Sequence, residues 1–131
     1  MSEIVEDWTP YAPYFTRDEF TCHHTGKCDM RRQCMDTLLA IRIDYGKPMV
    51  IDSGFRDPSH PVEAGKVKPG EHTLGCAADV RVGGIDAMRL LQIALKHGIG
   101  RVGVKQDNKG VEYLHLGVGA PGFPNPCLWS Y

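Results

Sequence analysis

The stretch "GEHTLGCAADVRVGGID", residues 70–86, changes character twice within a few residues. A polar, glycine-bounded start gives way at Cys76 to a run of small and apolar residues ending at Val82. Gly83 and Gly84 then break the run, and Asp86 stands where a helix N-cap is wanted. This pattern predicts a loop, a strand over 76–82, and a helix from Asp86 to Lys96 stopped by Gly98. Leu90, Leu91, Ala94 and Leu95 form the expected apolar side of that helix. Asp79 lies inside the strand, between Ala78 and Val80, where a carboxylate costs several kcal/mol unless something pairs with it. The chain must therefore supply Asp79 with a partner.

Before this stretch, "DPSHPVEAGKVKPGE" (57–71) carries three prolines and two glycines and reads as a long loop. "KPMVIDSGF" contains a short strand, Met49 to Asp52. Met30, Cys34, Leu38, Ile41 and Tyr45 recur at helical spacing, which predicts a helix with Asp29 as N-cap and Gly46 as stop. Residues 1–29 have no period and read as an arm wrapping the core, with a short helical turn near Thr16–Phe20 capped by Thr16 and Glu19. After the stretch, "RVGV" and "VEYLHLGV" flank the turn-rich "KQDNKG", which predicts a hairpin. The tail "GAPGFPNPCLWSY" is too proline-rich for regular structure, although Trp129 and Tyr131 are expected to pack back. The order predicts an α+β fold over residues 1–131 as a single domain: a small, mostly antiparallel sheet with helices on one face. The other face is left to hold a site.

The chain has 131 residues, 42% hydrophobic and 24% charged, with a formal net charge of -1. That composition supports one real hydrophobic core without staples. It lacks the basic stripe of a nucleic-acid or anionic-membrane binder, and no run approaches the ~18 apolar residues of a membrane span. The first residues, "MSEIVEDWTP", are acidic with no apolar core, so synthesis in the cytoplasm without a secretory signal is expected. The expected state is a monomer.

Three of the five cysteines, Cys22, Cys28 and Cys34, lie near His23 and His24 in "CHHTGKCDMRRQC". Five residues between successive cysteines do not match the short C-x2-4-C grip of structural zinc. Idle or buried thiols beside a loop are the better reading, with a cysteine-centred metal or redox protein as its competitor. A second candidate cluster is scattered along the chain. His72 ends the long loop, Asp79 lies on the next strand, and His115 lies in the last strand of the hairpin. Two His and one carboxylate leave a fourth coordination position open, as catalytic zinc requires. Glu112 is a carboxylate three residues before His115. On an ideal strand it faces away from His115, and a bulge near Gly110 would be needed to bring it round. On spacing alone, a satisfied strand histidine and an Asp bonded to backbone or Arg explain the same residues.

"SGFR" (53–56), "HTLGCAADV" (72–80) and "YLHLGV" (113–118), in this order, resemble the zinc D-Ala-D-Ala metallopeptidase family. That family includes D-Ala-D-Ala carboxypeptidases, vancomycin-resistance dipeptidases and phage endolysins, and shares its fold with the Hedgehog signalling domain. The resemblance runs from about Phe15 to the closing "WSY". It implies Zn2+ held by His72, Asp79 and His115, with Glu112 as general base and Arg56 holding the substrate carbonyl and its developing negative charge. It implies a peptide of bacterial peptidoglycan as substrate, with holin-type release as a route to the cell wall. A non-catalytic zinc-binding recognition module is the alternative. Gly70 stands where many relatives carry a Ser that touches substrate, so specificity is expected to differ around Gly70 and Glu71.

Overall fold

The computed structural model describes all 131 residues. In chain order the regular elements are α1 (Arg32–Tyr45), β1 (Val50–Ser53), α2 (Pro61–Ala64), β2 (Ala77–Arg81), α3 (Gly84–Lys96), β3 (Arg101–Asp107), β4 (Gly110–Gly117) and β5 (Cys127–Ser130). Short 3-10 turns occur at Thr9–Tyr11, Arg17–Phe20 and Glu71–Leu74. The five strands form one sheet in the order β1-β2-β4-β3-β5. All pairings are antiparallel except β3 with β5. This is the α+β arrangement the sequence predicts.

The helical period of α1 is honoured: Cys34, Leu38, Ile41 and Tyr45 are all buried. Gly46, in the left-handed conformation, closes the helix. The start lies two residues later than expected, with Arg31 rather than Asp29 as N-cap. At Met30 and Arg31 the chain is still extended and bonded to other segments. The Val5 N–H donates to the Met30 carbonyl, and the Arg31 N–H to that of Gly75. The N-terminal arm is thus tied down by backbone bonds, with Ile4 bridged to Arg31. At Thr16 the expected cap is present in half, with Glu19 accepting hydrogen bonds from the Thr16 N–H and hydroxyl.

In α3 the helix begins at Gly84 with Gly83 as N-cap, and Asp86 lies inside the first turn, paired to Lys47. Leu95 is exposed rather than buried, and Ala87, Leu90 and Ala94 face the core. One cluster of 22 buried residues runs from Val5 to Leu116 and fills the space between the helices and the sheet.

The tail departs from expectation. "CLWS" forms β5 on the edge of the sheet, parallel to β3 from Arg101↔Cys127 to Val104↔Ser130. The prolines at 121, 124 and 126 all precede it. They lack the N–H a strand needs, but Cys127 to Ser130 carry theirs, and the edge of β3 accepts them. The 57–71 loop is also more ordered than its composition suggests, since it holds α2 and ends in the Glu71–Leu74 turn.

Candidate metal centre

β2 and β4 pair so that Asp79 lies directly opposite His115. Cross-strand partners point to the same face, so the register alone brings a carboxylate and an imidazole together. The third member arrives by a turn. Glu71–Leu74 is one turn of 3-10 helix ended by Gly75 at φ +69°, and a Cβ there would run into the Asp29 carbonyl. Only glycine lets the chain reverse this tightly against the start of α1. The reversal leaves His72 over the sheet, its ring edge-on to that of His115 at 4.8 Å.

His72, Asp79 and His115 are all buried, and one donor atom from each lies within 4.8 Å of the others. His72 Nε2 is 3.3 Å and His115 Nδ1 3.1 Å from the same oxygen of Asp79. Tetrahedral zinc with bonds of about 2.0–2.2 Å holds its ligand atoms roughly 3.3 Å apart. The donor set, two imidazoles and a carboxylate, is also that of a three-ligand zinc site. The residues therefore fit the zinc ion that the resemblance implies. His72 Nδ1–H donates to the Gly54 carbonyl at 2.8 Å, which leaves Nε2 free to be a ligand.

Burial on its own would raise the Asp79 carboxyl, but hydrogen bonds and charge from His115 and His72 hold it well below the usual carboxylate range. For His115, burial would lower the imidazole, and Asp79 and Glu71 more than reverse that. The cluster is built around concentrated negative charge, which suits a divalent cation.

Arg56 reaches the same centre. Its two terminal nitrogens lie 3.4 Å from Glu63 and from Asp79, and its own N–H donates to the His72 carbonyl. Glu63, buried on α2, organises the loop. It accepts from the Gly70 N–H at 2.7 Å and pairs with Lys66 at 2.9 Å. Nothing in "HPVEAG" marks Glu63 as a site residue, because its partners lie on both sides of the loop.

Glu112 is placed differently. It is exposed and does not line the cleft around the cluster. The bulge that the sequence required is present: Lys105↔Tyr113 is followed by Gln106↔Val111, which leaves Glu112 as the unpaired residue. Its neighbour Tyr113 does line the cleft, and burial together with the Tyr131 and Asp79 charges pushes its phenol up to about 12. Tyr113 lies two residues before His115, so strand alternation could have marked it.

Glu71, expected beside the substrate, lines the same cleft at only 2% exposure, its carboxylate engaged with Oε1 at 2.5 Å from His115 Nε2 and 2.8 Å from Arg101 Nε. The cleft measures about 540 Å³; beyond the cluster and Arg56, its walls include Lys66, Tyr113, Phe123, Trp129 and Tyr131. The expected packing of Trp129 and Tyr131 thus forms one wall of the site.

The other candidate cluster does not converge. Cys22, Cys28 and Cys34 are free and buried in the core, while His23 and His24 are exposed. Cys22 Sγ accepts from the Asp57 N–H, and the Cys28 thiol donates to the Phe20 carbonyl. No helix is long and apolar enough to cross a membrane.

Two comparisons with known proteins bear on these residues. A family profile described as Peptidase M15 matches residues 13–116, which takes in all of the cluster, Arg56 and Glu112. No curated protein matches the chain.

Proposed function

The chain belongs to the peptidase M15 family, a zinc D-Ala-D-Ala carboxypeptidase-type family, and from that premise we propose that it hydrolyses peptide bonds in the stem peptides of bacterial peptidoglycan. The observation that carries this reading is the convergence of His72, Asp79 and His115, from a turn and two strands, at the floor of an open cleft. His72 through Nε2, Asp79 through a carboxylate oxygen and His115 through Nδ1 would hold the zinc. When bound, zinc supplies a Lewis acid that polarises the scissile carbonyl and makes water a competent nucleophile near neutral pH.

The remaining chemistry falls to side chains of the chain. Arg56 carries a permanent charge and a planar fork of donors at the edge of the cluster. Turned from Asp79 to the substrate, it orients the carbonyl and stabilises the negative charge that develops there. Glu112 takes the proton of the attacking water and returns it to the leaving amine. Two features support that role. The bulge frees Glu112 from strand alternation, and the other acidic groups at the centre are already engaged: Asp79 with the histidines, Glu71 with Arg101, Glu63 with Arg56 and Lys66. The Glu112 side chain has no hydrogen bond or ion pair to give up, which leaves it free to turn across the bulge towards a substrate in the cleft. Lys66 and Arg56 give the cleft a cationic edge that suits the carboxylates of a stem peptide, and Tyr113, Trp129 and Tyr131 cover its aliphatic parts.

The test is to incubate the zinc-loaded protein with peptidoglycan and identify the products by mass spectrometry. Release of D-Ala marks a carboxypeptidase, whereas internal cleavage marks an endolysin-type endopeptidase. Tight zinc binding with no new amino groups would reject hydrolysis and leave a recognition module of the same fold. Glu112→Gln should lower kcat by roughly 10²–10⁴, the usual share of a general base. An unchanged kcat would move the base elsewhere.

A further inference from the structure

His115 is held from both sides. Its Nδ1 faces Asp79 at 3.1 Å, and its Nε2 faces Glu71 Oε1 at 2.5 Å. A neutral imidazole carries one proton, and whichever nitrogen keeps it cannot bind a metal. The shorter bond to a fully buried carboxylate draws the proton to Nε2 and leaves the Nδ1 lone pair for the ion.

The surroundings of Glu71 are arranged to keep its carboxylate there. Arg101 is itself buried, at 8% exposure, and donates to Glu71 Oε1 through Nε and to the Pro124 carbonyl through Nη1. Its guanidinium lies 4.9 Å from the Trp129 ring centre and 5.2 Å from that of Phe123. These contacts fix a planar cation with its Nε–H aimed at the Glu71 carboxylate. Gly117 leaves the space the carboxylate occupies, because a Cβ there would overlap it. Glu71 Oε2 is buried with no hydrogen-bond partner. A half-satisfied buried carboxylate lowers stability, so packing alone gives no reason for its presence.

We propose that Glu71 is a positioning residue for the metal centre, selecting the His115 tautomer that presents Nδ1, and that Arg101 with its aromatic clamp holds Glu71 in place. The proposal rests on the zinc reading above. Phe123, Pro124 and Trp129 lie beyond the family-matched residues 13–116, so the clamp links the β5 region to a ligand on β4.

The experiment uses the whole chain, isotopically labelled at histidine. Nitrogen NMR of the metal-free protein at pH 9 should show His115 as the Nε2–H tautomer. In Glu71→Gln the tautomer becomes mixed or reversed, because an amide can donate as well as accept. Zinc affinity, measured by competition with a chromophoric chelator, should fall roughly ten- to hundred-fold, as for other residues that orient a ligand histidine. Gly117→Ala keeps the charge but displaces the carboxylate, and should change the tautomer in the same direction. It also tests the proposal if Glu71→Gln does not fold. Wild-type affinity together with an unchanged Nε2–H tautomer in a folded variant would overturn it. If the wild-type chain binds no zinc, the zinc reading itself fails, while the tautomer readout still judges Glu71.

Discussion

Two regions of this chain carry histidines beside other metal-ligating residues, and they end in opposite ways. In the N-terminal segment, Cys22, His23, His24, Cys28 and Cys34 are close in sequence, yet the thiols go into the core and the imidazoles to solvent. At the sheet, His72, Asp79 and His115 are spread over more than forty residues and meet within 4.8 Å. Proximity along the chain is a weak guide, because helix, turn and loop geometry turn neighbouring side chains in different directions. Strand register is a strong one, since it places Asp79 and His115 opposite each other on one face.

The sharpest way to break this contrast is to count metal. One zinc per chain is expected, lost in His72→Ala or Asp79→Asn together with all hydrolysis. It should be retained in Cys28→Ser, as read by elemental analysis of the purified variants. A second zinc that disappears with Cys28 would reverse the contrast. Next in size, Arg56→Ala should keep its zinc and lose about 10²–10³ in kcat, the scale of a missing oxyanion donor. If only KM changed, Arg56 would be a binding group alone.

The converse test is at Cys34, fully buried in α1 with its thiol pushed well up by burial. Cys34→Ser should cost about 1–3 kcal/mol in denaturant unfolding, through a hydroxyl with no partner, and leave zinc affinity untouched. The smallest effect concerns pH. Burial by itself would raise the Glu63 carboxyl, but the Gly70 N–H, Lys66 and Arg56 together lower it below 4.5. The group therefore stabilises the loop in full above the unfolded value, and the contribution fades as pH falls through the lower folded value. Protection of the Gly70 amide, corrected for intrinsic exchange, should drop in that acid range before the core opens. Uniform loss across the chain would deny Glu63 a local role.

The outline of the molecule could be read from local periodicity. The period of α1, the small and apolar run around Asp79 and the turn residues of the β3–β4 hairpin are properties of a few consecutive residues. The candidate metal cluster of His72, Asp79 and His115 required more, namely a pattern of three motifs in order. What escaped depended on distant partners. Edge strand β5 exists because β3 offers it an edge, and the prolines before it hid that capacity. Glu71 was singled out because, with Gly70, it stands where relatives place a serine near the substrate, but its bonds to His115 and Arg101 were not legible. Its placement depends on Arg101, thirty residues on, and on the space left by Gly117.

The Glu71–Leu74 turn carries an implication for how such a chain can vary. Successive residues in it serve two different neighbours: the carboxylate of 71 reaches His115 and the imidazole of 72 reaches Asp79. Adding or deleting one residue there would rotate both out of phase at once. The stretch before Gly70 has no such pair of successive residues: it is tied in by Glu63, through its bonds to Arg56, Lys66 and Gly70, and by Lys68, which donates to the Gly122 carbonyl. Length changes in related chains should therefore accumulate ahead of the turn, while the turn itself should accept substitutions but not insertions.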